Sequence, residues 1–148
     1  YYQRAFEELD LDIPGDLRLR AARATQGSPY MLQLIGYNIG NRCKTGEHVT
    51  PEQVDGAIEA SKADFENDVC ETTLAALSDQ DVAFLDAMTD DEDAVSRISD
   101  VAKRMSVTPD YAQKYRRRLI DAGVIEQARR GYVRFAVPYM ADYLRSQL

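Results

Sequence analysis

The sequence predicts a mainly α-helical fold in which a small helical bundle precedes a second domain of helices and one two-stranded β-hairpin. Apolar residues recur at helical spacing along most of the chain. Ser or Thr residues suited to capping helices stand at positions 28, 50, 78 and 108, and three of them are followed directly by proline. Near the end, two β-prone runs are separated by a turn that contains glycine.

The length and composition limit the possible classes of protein. With 148 residues and 45% hydrophobic residues, the chain can form one domain with a substantial core or two small ones. It has neither a signal peptide nor an apolar run of the roughly 18 residues that a membrane span needs, so we expect a cytoplasmic protein. Residues 1–9 resemble the end of a helix, and the absence of an initiator Met suggests a piece of a longer protein.

Residue types that carry enzyme or metal chemistry are scarce. His48 is the single histidine, and Cys43 and Cys70 belong to no Cys/His cluster. We therefore expect two ordinary thiols in a reducing compartment, no metal site and no Ser-His-Asp arrangement. The carboxylates along residues 52–68 are typical of a solvated helix face rather than of an acid/base site. We expect no catalytic residues in this chain.

The first domain opens with two helices that are separated by a glycine. Asp16 is expected to cap a helix over residues 17–25, and Gly27 interrupts the helical pattern. Ser28 caps the next helix, and Pro29 suits its first turn because the missing N–H has no intrahelical partner there. The expected apolar face of this helix consists of Tyr30, Met31, Leu34, Ile35 and Ile39.

Two more helix starts follow, each marked by a hydroxyl residue and a polar residue three positions later. Thr50 and Gln53 have the spacing of a capping box and open a long helix over residues 51–76. Ser78 and Asp81 have the same spacing at the start of the second domain. The sequence therefore predicts a fresh helix directly after the long one.

The second domain continues with two helices joined by a short turn. A helix is predicted over residues 95–104, and Ser106 lies in the turn that follows it. Thr108 is a good N-cap and Pro109 fits the first position of the next helix. Gly123 supplies the left-handed conformation that ends this helix. A short helix, a turn of about three residues and a longer helix form a helix-turn-helix.

A β-hairpin follows the third helix of this domain. Its two strands are expected to be closed by a turn at Arg130-Gly131, and Pro138 is expected to begin a terminal helix. Helix-turn-helix followed by a hairpin is the layout of a winged helix-turn-helix. On the third helix Ala112, Tyr115, Leu119 and Ala122 share the face that should pack inward.

The residues left on the outer side of the third helix and at the hairpin tip are mostly cationic. Lys and Arg supply affinity for phosphates, while Gln or Arg can read base edges. Arg116 lies at the border of the inward face and could point either way. The candidate DNA-binding residues are Tyr111, Gln113, Lys114, Arg117, Arg118, Arg129 and Arg130.

The charge of the chain is divided unevenly between its two parts. Residues 1–94 contain seven Lys/Arg and twenty Asp/Glu, a balance of −13, while residues 95–148 contain eleven and five, a balance of +6. We place the domain boundary between residues 1–76 and 77–148. The acidic first part argues against nonspecific coating of nucleic acid by the whole chain, and the basic second part permits a local polyanion site.

One string in the first domain carries a family resemblance. Residues 24–36, ATQGSPYMLQLIG, resemble the start of the last lid helix of AAA+ and STAND-type ATPases, in which a G-x-P motif places a helix N-terminus beside the nucleotide. The resemblance implies that Gly27, Ser28, Pro29 and Tyr30 lie next to a nucleotide. Tyr30 stands where many AAA+ proteins have a sensor arginine, which is closer to the STAND-type pattern. A helix break and restart without any ligand is the alternative.

The resemblance also implies a larger protein. A helical lid followed by a winged helix occurs in such ATPases, and the chain contains no G-x-x-x-x-G-K-[ST] phosphate loop. An upstream P-loop ATPase domain in the same chain, binding ATP with magnesium, is therefore implied. In this fragment itself we expect no cofactor.

Two functions are compatible with these observations. The first is binding of duplex DNA by the winged helix. The second is a role of the winged helix as a protein–protein or intramolecular regulatory module of the ATPase, with a homo-oligomer possible. A basic helix face that is merely solvated is the third interpretation of the same residues.

Overall fold

The computed structural model describes residues 13–43, 48–92 and 95–147. Packing divides the chain into two units, Tyr1–Asn67 and Asp68–Leu148. The boundary predicted from the sequence, after residue 76, lies nine positions beyond Asn67. The expected helical residues 1–9 lie outside the described residues. No helix in the described ranges is long and apolar enough to cross a membrane.

The first unit contains three helices, α1 (Gly15–Ala24), α2 (Pro29–Arg42) and α3 (Pro51–Phe65). The predicted caps of the last two are confirmed: the Ser28 hydroxyl accepts a hydrogen bond from the Met31 N–H at 3.2 Å, and Thr50 and Gln53 form a reciprocal capping box. These contacts satisfy backbone donors that the helix cannot. The predicted cap at Asp16 is wrong, because α1 begins one residue earlier and Asp16 lies within its first turn.

The core of the first unit combines aliphatic side chains with one buried polar contact. The Asn38 amide donates to the Ser61 hydroxyl at 2.9 Å, and that hydroxyl donates to the Ala57 carbonyl at 2.6 Å. Because each buried polar group has a partner, this contact joins α2 to α3 without the cost of an unsatisfied group. Tyr30, predicted to face inward, is 42% exposed. The buried apolar residues are Ile13, Leu17, Ala21, Met31, Ile35, Ile39, Cys43, Val49, Val54, Ala57 and Phe65.

Helical backbone continues beyond α3 with altered geometry. Residues Glu66–Glu71 form a π-helical segment, and α4 (Thr72–Ala75) follows it. The long helix predicted over residues 51–76 is therefore present as α-helix, π-helix and α-helix in succession. A π-helical segment inserts an extra residue into the turn, and the resulting shift in the buried face cannot be recognised from apolar spacing alone.

The second unit is built from helices and a three-stranded antiparallel sheet. After α4 its elements are α5 (Asp79–Met88), β1 (Ser96–Arg97), α6 (Ile98–Met105), α7 (Pro109–Asp121), β2 (Ile125–Arg129), β3 (Tyr132–Phe135) and α8 (Met140–Ser146). The order of strands in the sheet is β1-β3-β2. The mainly α-helical fold with a β-hairpin that the sequence predicts is confirmed.

One element of the second unit is not predicted by the sequence. The helix expected over residues 95–104 begins only at Ile98, because Ser96 and Arg97 form strand β1 opposite Val133 and Tyr132 of β3. A two-residue strand has no periodicity of its own, and its partners lie more than 30 residues away in the chain. Long-range pairing therefore overrides the local helical pattern.

Helices α6 and α7 end in the same way. The Val107 N–H donates to the Ala102 carbonyl at 3.0 Å, and the Val124 N–H donates to the Leu119 carbonyl at 3.0 Å. Each closure needs a left-handed residue just before the donor, supplied by Ser106 (φ 59°) after α6 and by Gly123 (φ 76°) after α7. The Gly123 stop is the one predicted. The Thr108 cap of α7 is also confirmed, since its hydroxyl accepts from the Tyr111 N–H at 3.2 Å.

Apolar side chains from the helices and the sheet form the core of the second unit. Full burial of each large side chain contributes about 1.5–3 kcal/mol. Two predictions at the edges are wrong: Ala122 is exposed, and the terminal helix begins at Met140 rather than at Pro138. The buried apolar residues are Cys70, Phe84, Leu85, Ala87, Met88, Ile98, Val101, Ala102, Ala112, Tyr115, Leu119, Val124, Ile125, Val133, Met140 and Leu144.

Candidate nucleic-acid interface

Helix α7 lies against α5, α6 and β2 with one face and exposes the other. Its buried face is formed by Ala112, Tyr115 and Leu119, as the sequence predicts. Lys114 and Arg117 project from the opposite side and are exposed. These two side chains therefore lie where the sequence expects residues that contact a ligand.

Arg118, also expected on the outer side, is tied to the protein itself. Its guanidinium donates two hydrogen bonds to the Asp81 carboxylate, from Nε at 3.1 Å and from Nη2 at 3.0 Å. Asp81 is 1% exposed and also accepts from the Ser78 backbone N–H at 3.1 Å and the Ser78 hydroxyl at 2.8 Å. The carboxylate thus completes the cap of α5 and joins α5 to α7.

The electrostatics of this contact follow from its geometry. The Arg118 guanidinium, assisted by the Ser78 donors, lowers the pKa of Asp81, while burial acts in the opposite direction. The same pairing raises the pKa of Arg118. A two-pronged guanidinium–carboxylate contact satisfies both partners. The two guanidinium N–H groups that Arg118 directs at Asp81 therefore stabilise the fold, although the Arg118 side chain is 54% exposed.

Part of the Tyr111 side chain also makes contacts within the protein. Its hydroxyl lies 3.1 Å from the hydroxyl of Tyr115, and the two rings are 5.2 Å apart. The hydrogen bond with Tyr111 raises the pKa of the buried Tyr115. The Tyr111 ring is 42% exposed and borders an open groove of about 520 Å³. The residues lining the groove are Gln80, Met105, Ser106, Val107, Thr108 and Tyr111.

The border residue Arg116 joins α7 to the hairpin. Its guanidinium donates to the Gln127 side-chain oxygen on β2 at 2.9 Å. Gln113, one turn earlier on the same side of the helix, is half-buried. This hydrogen bond links α7 to β2, the strand that ends at the cationic hairpin turn.

The hairpin presents its cations at the turn. Arg129 ends β2, and its guanidinium carbon lies 3.9 Å from the centre of the Tyr132 ring. Arg130 and Gly131 form the turn as predicted, with Gly131 at φ 80°. Further along the sheet, Arg134 is paired with Glu126 at 2.6 Å. Of the hairpin arginines, those at the turn end are therefore the ones without a carboxylate partner among the described residues.

Acidic residues share the surface of α7. Asp110 and Asp121 are exposed; Asp110 lies four positions before Lys114 and Asp121 four positions after Arg117, hence on the same side of the helix. The unit as a whole contains eleven Lys/Arg and fourteen Asp/Glu, a balance of −3. The positive charge balance of residues 95–148 therefore does not hold for the second unit as a whole.

The four residues implied to lie beside a nucleotide belong to the break between α1 and α2. Gly27 adopts φ 79°, and the Ser28 hydroxyl caps α2. Pro29 occupies the first turn of that helix, and the Tyr30 ring lies 6.2 Å from the Phe65 ring. These contacts end one helix and begin the next.

Four of the five candidate cations, Lys114, Arg117, Arg129 and Arg130, are exposed as the sequence expects, and one further cation was missed. Arg97 is exposed on β1 directly across from Tyr132. No local signal could identify it, because the pairing of β1 with β3 brings it to the hairpin. Within the described ranges, no three His, Cys, Asp or Glu side chains are grouped so that they could hold a metal ion.

Comparison with known proteins gives one match. No curated protein and no solved structure matches the chain. One family model matches residues 67–144, which is more than half of the chain and nearly the whole second unit. The chain belongs to this family, which is described as a domain of unknown function (DUF8462).

Proposed function

We propose that the second unit is a winged helix-turn-helix that binds duplex DNA, with α7 in the major groove and the hairpin against the backbone. The observation that carries this proposal is the set of exposed cations that no carboxylate of the described residues neutralises. Lys114 and Arg117 lie on α7, and Arg129 and Arg130 lie at the hairpin turn. The hydrogen bond from Arg116 to Gln127 supports their action as one surface.

The chemistry of these residues suits phosphate contacts more than base reading. Each phosphate that a cation neutralises adds about −0.9 to the slope of log K against log salt. Four contacts would give a slope of about −3 to −4. Gln113, at the edge of α7, is the side chain suited to read a base, since an amide pairs with adenine in the major groove.

Salt-dependent binding to a short random duplex, followed by fluorescence anisotropy, tests the proposal. The variant Lys114→Ala/Arg117→Ala should lose about two units of slope and bind about tenfold more weakly at moderate salt. The matched control is Arg23→Ala, which removes an exposed arginine of the first unit and should change affinity less than twofold. Absence of salt-dependent binding by the unmodified protein at micromolar concentration would contradict the proposal.

A protein-contact role is the second candidate, and the exposed carboxylates of α7 favour it. Asp110 and Asp121 flank Lys114 and Arg117 on the outer side of the helix. Carboxylates repel phosphates, whereas a surface with both signs of charge complements an oppositely patterned protein surface. If Arg117→Glu disrupts a protein complex or the regulation of an ATPase while duplex binding is absent, this role replaces DNA binding.

For the first unit, the resemblance supports a role as the lid of a cytoplasmic ATPase. In that role Gly27, Ser28, Pro29 and Tyr30 would lie beside ATP, with magnesium, bound by an upstream P-loop domain in the same chain. The support is the G-S-P string at the start of α2. Sequencing upstream of Tyr1 and assaying the full-length protein for ATP hydrolysis tests this role. A full-length protein that lacks a phosphate loop would contradict it.

A further inference from the structure

The sheet places two arginines on either side of one tyrosine. In the strand order β1-β3-β2, Tyr132 pairs with Arg97 on β1 and with Arg129 on β2. Residues directly opposite each other in antiparallel strands have their side chains on the same face. Since neighbouring strands are about 4.8 Å apart, the Cα atoms of the two arginines are about 10 Å apart.

A β-bulge creates this arrangement. Gln127 pairs with Val133, but the next pair is Arg129 with Tyr132, so Ala128 is an extra residue in β2. Without the bulge, Ala128 would stand opposite Tyr132 and Arg129 would fall in the turn. Bulges commonly redirect a side chain in this way. Here the bulge brings Arg129 over the Tyr132 ring, at 3.9 Å from its centre.

The guanidinium of Arg129 can still bind an anion while it is stacked on the Tyr132 ring. Stacking uses the flat face of the group and leaves its N–H donors, which lie in the plane, directed outward. Arg130 follows in the turn, whose Gly131 carbonyl accepts a hydrogen bond from the Ile98 N–H at 3.0 Å. This hydrogen bond holds the turn against the start of α6. The backbone that bears Arg97, Arg129 and Arg130 is therefore fixed in position.

The charge on this end of the sheet is uncompensated. Arg97, Arg129 and Arg130 are all exposed, and none forms an ion pair within the described part of the chain. The next pair on the same face of the sheet, Glu126 and Arg134, forms an ion pair at 2.6 Å. One end of the outer face of the sheet is therefore neutral, and the other end has three positive charges. A bound anion would stabilise the charged end.

We infer that Arg97, Arg129 and Arg130, arranged around Tyr132, form a phosphate-binding site at the turn end of the sheet, whose residues are distinct from those of α7. We call it the sheet cluster. Its ligand is the sugar–phosphate backbone, which guanidinium groups bind in two-pronged fashion. With duplex DNA as the source of the phosphates, the inference rests on the proposed function. Its distinctive claim is that Arg97, contributed by β1, takes part in binding.

The experiment measures binding of the whole chain to a random 20-base-pair duplex and to immobilised heparin, a polyanion without bases. Arg97→Ala and Arg130→Ala should each reduce the salt slope for the duplex by about one unit and weaken binding about fivefold at moderate salt. Both should also elute earlier from heparin. Arg97→Lys keeps one charge and should retain the slope.

A matched control is Lys103→Ala, which removes an exposed cation from α6 and should leave slope and elution unchanged. Thermal unfolding verifies that each variant is folded. Should Arg97→Ala fail to fold, Arg97→Gln carries the test, because it removes the charge of this exposed residue and keeps a longer polar side chain.

The outcomes separate this inference from the proposed function. Duplex binding by the unmodified protein that neither Arg97→Ala nor Arg130→Ala alters would overturn the sheet cluster and leave DNA binding by α7. Heparin retention that depends on Arg97, without duplex binding, would support the cluster and overturn duplex DNA as the ligand. Absence of binding to both probes would overturn both.

Discussion

Helix α7 and the turn end of the sheet are both rich in cations, but the fold uses them differently. Of the four cations on α7, Arg118 is bound to the buried Asp81 and Arg116 to Gln127. At the sheet cluster, Arg129 stacks on Tyr132, and its guanidinium N–H groups have no hydrogen-bond acceptor in the part of the chain that the structure describes. The candidate residues predicted from the sequence therefore include Arg118, which the fold itself uses, and omit Arg97, which the sheet places beside the hairpin.

The largest effect is expected where α7 is fastened to α5. Asp81→Ala removes both hydrogen bonds from Arg118 and the two that the carboxylate accepts from Ser78, which form its half of the α5 capping box. Losing part of a cap costs up to about 1 kcal/mol and losing hydrogen bonds to charged groups about 1.5–3 kcal/mol. We expect the free energy of unfolding, measured by urea denaturation, to fall by about 3 kcal/mol. Arg117→Ala, the control on the same helix, should change it by less than about 0.5 kcal/mol.

The same contact should make stability depend on pH in acid. The pKa of Asp81 is lowered in the folded protein, chiefly by Arg118. Its contribution is therefore fully present above the unfolded pKa of about 3.9. It is lost as the pH falls through the lower folded value.

Urea unfolding of the unmodified protein and of Asp81→Asn at several pH values isolates this effect. The difference in free energy of unfolding should be constant from pH 7 to about pH 5 and should shrink below about pH 4. A difference that persists unchanged at pH 2.5 would show that Arg118 does not hold the Asp81 carboxylate as described.

Binding measurements sharpen the comparison between the two surfaces. Arg117→Ala and Arg97→Ala should each weaken duplex binding about fivefold at moderate salt and reduce the salt slope by about one unit. Arg118→Ala should lower the free energy of unfolding and leave the slope unchanged, because its donors already have partners. A reduced slope for folded Arg118→Ala would place this residue among the DNA contacts that the sequence predicts.

The two matching helix ends allow a smaller test. Ser106 and Gly123 occupy equivalent left-handed positions after α6 and α7. Ser106→Gly should raise the free energy of unfolding by about 0.5–1 kcal/mol, because glycine adopts this conformation without strain. Gly123→Ala should lower it by about 1 kcal/mol, since no neighbouring atom lies within 4 Å to add a clash. Equal effects of the same sign would contradict this explanation.

Local signals account for most of the helices. The Ser28, Thr50, Ser78 and Thr108 caps all appear as predicted, because a side-chain hydroxyl and a backbone N–H three residues later meet wherever a helix starts. The Gly123 stop and the Arg130-Gly131 turn follow from backbone conformation alone. Exposure of Lys114 and Arg117 follows from helical periodicity.

Predictions that depend on contacts between distant residues fail or are incomplete. Asp81 and Arg118 are 37 positions apart, and no local pattern reveals that one neutralises the other. Strand β1 and the bulge at Ala128 exist only because β3 is present to pair with. The membership of Arg97 in the sheet cluster depends on both.

The sequence by itself determined where helices start and stop and which face of α7 is buried, because these depend on contacts within one or two turns. Only the tertiary structure decided which cations remain available to a ligand. Availability depends on where every carboxylate and aromatic ring of the unit finally lies, and folding brings those groups together across long stretches of chain.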